Sequence, residues 1–360
     1  MRIAVLGVGL IGGSIGLAAK QRLDAEVSGF DPDPTARERG LERGTVDRVD
    51  ETIAEAVGDA QVVFCAAPVR ALPGLVSEAL ASSGEQAVVT DVGSTKGALV
   101  AQVRGPDSER FIGGHPLAGA ETAGVENARA DLFEGARWYL TPTERSSGLL
   151  YDRLQRAIAD LGARPQAIDA DTHDRLMATV SHLPHVIANV LVQQAAEAAA
   201  EESERLPEIG PSFRDTTRVA GANPPIWGDI FATNREAVAR EVEVAAERLR
   251  DAAELIRSGD ADRVAAWHGA AREDRRRLLE ADRGGGELYE LRLGVENRPG
   301  TVAEIALALG HAGVNIEDLA LHPAPDMRTG AVSLWIAGEA EADRAAAVVR
   351  GLGHNVSVSR

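Results

Sequence analysis

The sequence predicts three domains in succession: an α/β domain, an all-α domain and a small βαββαβ domain. From Met1 to about Asp169, short apolar runs alternate with helical segments. From about Ala170 to Arg283 the strand signals vanish, and Ala, Glu and Arg dominate at helical spacing. Strands then return behind Gly284-Gly285-Gly286, a run too flexible to belong to either neighbour. The expected domains are 1–169, 170–283 and 287–360, with 284–286 as linker.

In the first domain, strands are expected at Ile3–Leu6, Glu26–Phe30, Gln61–Ala66, Ala87–Asp91, Phe111–Gly113, Trp138–Thr141 and Arg164–Ile168. Alternation with helices implies a parallel sheet with crossover connections. In the second, Val238, Val242, Ala245, Ala246, Leu249 and Ala253 mark one helical face, and residues 195–202 continue a helix begun near Thr172. The third reads strand Leu288–Val295, helix Thr301–His311, strands Asn315–Leu321 and Ala331–Ala337, helix Ala340–Leu352 and strand Asn355–Val358.

Composition narrows the partners. The 55 acidic residues against 38 basic ones give a net charge of −17, the wrong sign for coating phosphate backbones, so nucleic acid is not expected. Only Lys20 and Lys96 are lysines, so an individual arginine is informative only through its neighbourhood. The single cysteine, Cys65, sits in the apolar run Val62–Ala67 and reads as a core strand residue in a reducing, cytoplasmic setting. Ile3–Ala19 is uncharged enough to imitate a signal peptide, but Gly7, Gly9, Gly12, Gly13 and Gly16 make it strand, tight turn and helix. No other stretch reaches the roughly 18 continuous apolar residues of a membrane span, so no membrane is expected.

Gly7-Val8-Gly9-Leu10-Ile11-Gly12 fits G-x-G-x-x-G, directly after a strand and at the opening of a helix. There the glycines allow a tight turn and close backbone approach, and the helix N-terminus faces a pyrophosphate. Asp31 closes the second strand, where a carboxylate accepts from ribose hydroxyls and repels a 2′-phosphate, so NAD is expected over NADP. Arg37 and Arg39 nearby keep NADP open. Ala67 and Pro68, after the Cys65 strand, are assigned to the cofactor side.

Asp91-Val92-Gly93-Ser94-Thr95-Lys96 ends a strand where open α/β sheets place ligands, bringing a hydroxyl and an ammonium to the crevice. The plainer reading is a turn in which Ser94 or Thr95 caps the next helix. His115, behind Gly113 and Gly114, is the candidate for proton transfer, with the glycines leaving room for a ligand; the plainer reading is a structural turn histidine. His182 and His185 lie three apart on a helix that Pro184 is expected to kink. No cysteine or carboxylate stands at matching spacing, so no metal is expected. Arg214, Arg218 and Trp227 fall in a loop-rich break between helices, where a guanidinium fork suits a carboxylate or a surface ion pair.

Together, 7–14, 91–96, 114–121, 182–185 and 214–218 with Trp227 resemble the prephenate/arogenate dehydrogenase family over nearly the first 280 residues. The resemblance implies a Rossmann domain, a helical dimerisation domain forming a homodimer, and an active site in the cleft between them. It implies NAD-dependent oxidative decarboxylation of prephenate, with arogenate as the alternative substrate. It makes His115 the catalytic histidine, Ser94 its partner on the ring hydroxyl, and Arg218 the carboxylate ligand. His185, Glu121, Asp215 and Trp227 then line or shape the pocket, and Arg214 is added on its position alone. The last 75 residues resemble an ACT domain of ferredoxin-like βαββαβ order, through Asn297-Arg298-Pro299-Gly300 and Gly313-Val314-Asn315-Ile316. Asn297, Pro299, Gly300, Asn315 and Ile316 become regulatory candidates, with tyrosine as effector. A β-hydroxyacid dehydrogenase would need a lysine in 172–202, where none stands; a non-catalytic sensor of NAD and an amino acid is the alternative from another class.

Overall fold

In a computed structural model of the chain, all residues are described except 120–121, 202–208, 282–287, 297, 325–327 and 360. They form two compact units, one of Met1–Asp174, Gly228–Thr233 and Glu287–Arg360, the other of Arg175–Trp227 and Asn234–Gly286.

The first unit is built on an eight-stranded sheet of β1 (Arg2–Leu6), β2 (Glu26–Phe30), β3 (Arg48–Val49), β4 (Val62–Cys65), β5 (Val88–Asp91), β6 (Phe111–Pro116), β7 (Arg137–Thr141) and β8 (Arg164–Ala167). Its order is β3-β2-β1-β4-β5-β6-β7-β8, so strand order reverses direction beside β1. Helices α1 (Leu10–Leu23), α2 (Pro34–Glu42), α3 (Ile53–Val57), α4 (Leu72–Ser82), α5 (Gly97–Gln102) and α6 (Gly148–Asp160) connect the strands. Ile3 and Val5 of β1 enter one core with Phe64 and Trp138, while Ala4 and Leu6 enter another with Val63 and Leu72. A strand buried on both faces must be apolar throughout, which is why it reads as a continuous run.

The expectation of an all-parallel sheet is corrected at β7, which runs antiparallel to β6; β8 runs parallel to β7. Between β6 and β7 the described residues contain only a short 3-10 turn, Val125–Asn127, and no crossover helix to return the chain for parallel pairing.

Helix α7 (Ala170–Met177) continues through a π turn, Ala178–His182, into α8 (Leu183–Glu201). The Leu183 N–H bonds back to the Ala178 carbonyl, and this wider turn lets the helix accept Pro184, whose ring has no N–H to give. From Ala170 to Ala198 this stretch is long and apolar enough, by length and composition alone, to cross a membrane, although polar residues interrupt its apolar runs. Residues 213–230, expected as loop, are mostly helical: α9 (Pro211–Thr217), a 3-10 turn (Arg218–Gly221) and α10 (Pro224–Thr233). Both helices open on proline, which suits a first turn whose N–H groups have no helical partner. Long helices α11 (Arg235–Arg257) and α12 (Ala261–Ala281) complete the second unit.

The C-terminal segment comprises β9 (Leu288–Glu296), α13 (Thr301–His311), β10 (Asp318–Pro323), β11 (Thr329–Ala337), α14 (Glu339–Gly351) and β12 (Val356–Ser359). Its antiparallel sheet has the order β10-β11-β9-β12. Leu291, Leu293 and Val295 alternate inward along β9 and meet Ile305, Leu309 and Val349 in one core. Its second strand, β10, begins later than expected, leaving Asn315 and the buried Ile316 in the turn before it. The α13 and β10 elements pack on α6 and β8, so this segment shares the first unit's core. The expected linker, Gly284 to Gly286, lies outside the described residues.

Candidate active site

Parallel pairing sets the ends of β1, β4 and β5 side by side, with Leu6 opposite Cys65 and Cys65 opposite Asp91. The turns after these strands therefore share one edge of the sheet, beside the strand that carries His115. Cys65 is fully buried within β4, and burial pushes its thiol well above the ordinary value, with the Asp91 charge acting in the same direction.

Gly7 turns the chain at φ +107°, and a Cβ there would fall 2.2 Å from the Ala66 carbonyl oxygen, so no other residue fits. Among the described residues, a Cβ on Gly9 would meet nothing within 4 Å, and no side chain caps the N-terminus of α1. This open, uncapped turn fits a dinucleotide pyrophosphate. Val8 is buried against Val125 and Ala128, so it offers its backbone only, while Leu10 and Ile11 pack on the core. The Asp31 carboxylate accepts from Val8 N–H at 2.8 Å and Asp33 N–H at 2.9 Å, which holds it beside the turn. Arg37 donates to the Asp31 carbonyl at 2.6 Å. Ala67 is half-buried and Pro68 exposed at the end of β4.

The turn after β5 differs from its sequence reading. Lys96 does not bring an ammonium to a crevice: it is fully buried, with Nζ donating to the Asp91 carboxylate and, at 2.8 Å, to the Gly114 carbonyl. Burial pushes the ammonium below its ordinary value, against the pull of Asp91. Neither Ser94 nor Thr95 caps α5; Asp174 does, accepting from Lys96 N–H and Gly97 N–H at 2.8 Å each. Thr95 instead meets the Thr233 hydroxyl at 2.9 Å, and Ser94 is half-buried. The space beside Gly113 and Gly114 is filled by protein, since a Cβ on Gly114 would lie 2.5 Å from the Asp91 carbonyl oxygen. These glycines let β6 close on β5 rather than leave room for a ligand.

His115 is 9% exposed and its Nδ1 lies 2.9 Å from His173 Nε2. His173, fully buried, places Nδ1 2.8 Å from the Asp174 carboxylate. The two imidazoles meet edge to face at 5.1 Å, and the Tyr139 ring meets His173 at 5.6 Å. Burial pushes His173 below its ordinary value; Asp174 and Asp91 pull it up, and Lys96 pushes it down.

Within the second unit, His185 stacks on Trp227 with centroids 3.4 Å apart, and His182 meets the same indole edge-on at 5.8 Å. His185 Nδ1 donates to the Ser181 carbonyl at 3.0 Å, and burial, with Arg218 nearby, pushes its imidazole below the ordinary value. His182 lies 3.2 Å from the Asn234 amide nitrogen. Arg214, Asp215 and Arg218 are exposed, with Arg214 donating to the Ile209 carbonyl. Glu121 and Asn297 lie outside the described residues.

The family model described as "Prephenate dehydrogenase, nucleotide-binding domain" matches residues 15–167, and "Prephenate dehydrogenase, dimerization domain" matches 169–269. A cyclohexadienyl dehydrogenase of Zymomonas mobilis is 32% identical, over 72% of this chain and 90% of its own. The chain belongs to the prephenate dehydrogenase family. It is thereby an NAD-dependent oxidoreductase. A prephenate dehydrogenase of Bacillus subtilis is 29% identical over 88% of this chain and 87% of its own. The structure of A. aeolicus prephenate dehydrogenase in complex with hydroxyphenyl propionate and NAD+ is similar at TM-score 0.73 and 29% identity, covering 77% of this chain and 98% of that one.

In this member of the prephenate dehydrogenase family, sequence reasoning misses His173, Asp174 and the Asp91–Lys96 pair. A sequence signal for the first two exists: adjacent His and Asp in the first turns of the helix that opens the second family domain.

Proposed function

We propose that this protein converts prephenate to 4-hydroxyphenylpyruvate with NAD. The carrying observation is that His115, backed by His173 and Asp174, ends a strand on the same sheet edge as the open glycine turn. Bound NAD supplies the acceptor for the hydride leaving C4 of the dienol. Nε2 of His115 takes the C4 hydroxyl proton, Ser94 hydrogen-bonds that oxygen, and Arg218 pairs with a substrate carboxylate. The C1–carboxylate bond breaks to release carbon dioxide, its electron pair completes the aromatic ring, and the proton on His115 returns to the phenolic oxygen. Aromatisation makes the reaction downhill, so the chain has mainly to align and desolvate its substrate. We assign the stacked His185–Trp227 pair, Asp215, Glu121 and Arg214 to substrate binding, and Gly7 to Gly12, Asp31, Ala67 and Pro68 to NAD.

Appearance of NADH absorbance when the purified chain meets NAD and prephenate tests this, with arogenate run in parallel. Turnover with arogenate alone would replace the substrate, and none with either would favour a non-catalytic sensor. His115→Asn should lower turnover by roughly 10²–10⁴-fold while sparing NAD binding.

We further propose a cytoplasmic homodimer formed through the helical domain, whose most apolar window on the 170–198 helix is only 22% buried within one chain. The C-terminal segment we read as an ACT domain that binds tyrosine and inhibits turnover. Its βαββαβ order and β10-β11-β9-β12 sheet support this. So does a pocket lined by Gly148, Leu149, Arg298, Thr301, Val302 and Leu321, where the buried Thr301 hydroxyl has no partner among the described residues. Pro299 and Gly300 close that end, with Gly300 N–H on the Ser146 carbonyl, and Asn315 reaches Glu317 in the turn before β10.

A further inference from the structure

We infer that His173 and Asp174 are positioning residues that fix which nitrogen of His115 carries its proton, so that Nε2 is the edge that receives the substrate proton. This rests on His115 being the proton acceptor. The hydrogen-bond sense follows from what each group can do. An ionised carboxylate only accepts, so His173 Nδ1, 2.8 Å from Asp174, must be the N–H. A neutral His173 then has its lone pair on Nε2. That nitrogen, 2.9 Å from His115 Nδ1, needs a donor, so His115 carries Nδ1–H and keeps its lone pair on Nε2.

A doubly protonated His173 would reverse this, turning His115 Nδ1 into an acceptor and Nε2 into an N–H unable to take a proton. Complete burial of His173 disfavours that charge, and Lys96 disfavours it further; Asp174 and Asp91 oppose them without reversing the outcome. The Tyr139 and His115 rings pack on the imidazole and hold its plane. When Nε2 takes a proton, the imidazolium still donates Nδ1–H to His173, with the Asp174 charge one ring beyond.

Asp174 does a second job with the same two oxygens. By accepting from Lys96 N–H and Gly97 N–H it fixes the turn that carries Ser94. One carboxylate thus sets both the loop of the hydroxyl and, through His173, the proton of the base.

The direct test is multiple-bond ¹H–¹⁵N NMR of the full chain labelled at histidine, at pH 8, with His115→Asn for assignment. A His115 signal with protonated Nδ1 and unprotonated Nε2 is expected; the opposite tautomer overturns the proposal. This readout needs no substrate, so it stands apart from whether prephenate is turned over. Kinetics with the turned-over substrate give a second test, because Gln can reach the Nε2 position and accept from His115, whereas Leu cannot. His173→Leu should lower kcat roughly 10²-fold at nearly constant KM, and His173→Gln should recover about tenfold of that. Asp174→Asn should move the acid limb of kcat/KM to lower pH, since it removes a negative charge that favours the imidazolium. Equal losses in the Leu and Gln variants, with an unmoved acid limb, would mean that the pair only fills space.

Discussion

Replacing Lys96 by Met removes one half of a fully buried ion pair while nearly preserving the volume of its stem. Asp91 then keeps Gly93 N–H at 2.8 Å and Gly114 N–H at 3.1 Å but loses the countercharge that Lys96 supplies, and the Gly114 carbonyl loses a donor. Breaking a buried pair costs about 3–5 kcal/mol, and the two retained N–H bonds place the pair at the lower end. The carbonyl adds about 1 kcal/mol, giving about 4 kcal/mol in all. For a unit of this size that is a fall in Tm of roughly 10 °C. Asp91→Asn in the Lys96→Met background removes the stranded charge and should restore about half of the loss. Urea and thermal unfolding followed by circular dichroism read both effects. A single variant less than about 1 kcal/mol below the parent, or a double variant no better than the single, would refute the claim that this pair ties β5 to the strand bearing His115.

Burial holds the imidazoles of His173 and His185 below their ordinary value of 6.5. Between the lowered folded values and 6.5 the unfolded chain binds protons that the folded chain does not, so stability falls as pH drops through 6.5 and levels off below the folded values. Calorimetry from pH 8 to 5 should show this slope, and His173→Gln should flatten it; a slope indifferent to that change would discount His173. Thr301→Val removes a buried hydroxyl that has no partner among the described residues, so it should leave the protein as stable or up to about 1 kcal/mol more stable. The same change should raise the tyrosine concentration for half-inhibition several-fold, and unaltered inhibition would move the effector elsewhere.

What could be read from sequence is what adjacent residues encode. The continuous apolar run of β1, the glycine turn behind it, the helical spacing of α11 and the strand and helix order of the last 75 residues depend on contacts within a few positions. Periodicity and turn chemistry report such contacts directly. The antiparallel β7 was hidden because strand direction depends on whether a crossover helix intervenes, which the apolar pattern of the strand itself does not carry.

Only tertiary structure decided the fate of polar groups. From its motif Lys96 belongs to a crevice; in the fold Asp91 and the Gly114 carbonyl converge on it once β5 and β6 pair, and a buried ammonium must take such partners. Gly113 and Gly114 read as space for a ligand and serve instead to bring two strands together. The cap of α5 comes from Asp174, 77 residues beyond Gly97, and His115 meets His173 across 58 residues. Hydrogen-bonding partners for buried groups are chosen by proximity in space, and no local pattern records which distant side chain will arrive.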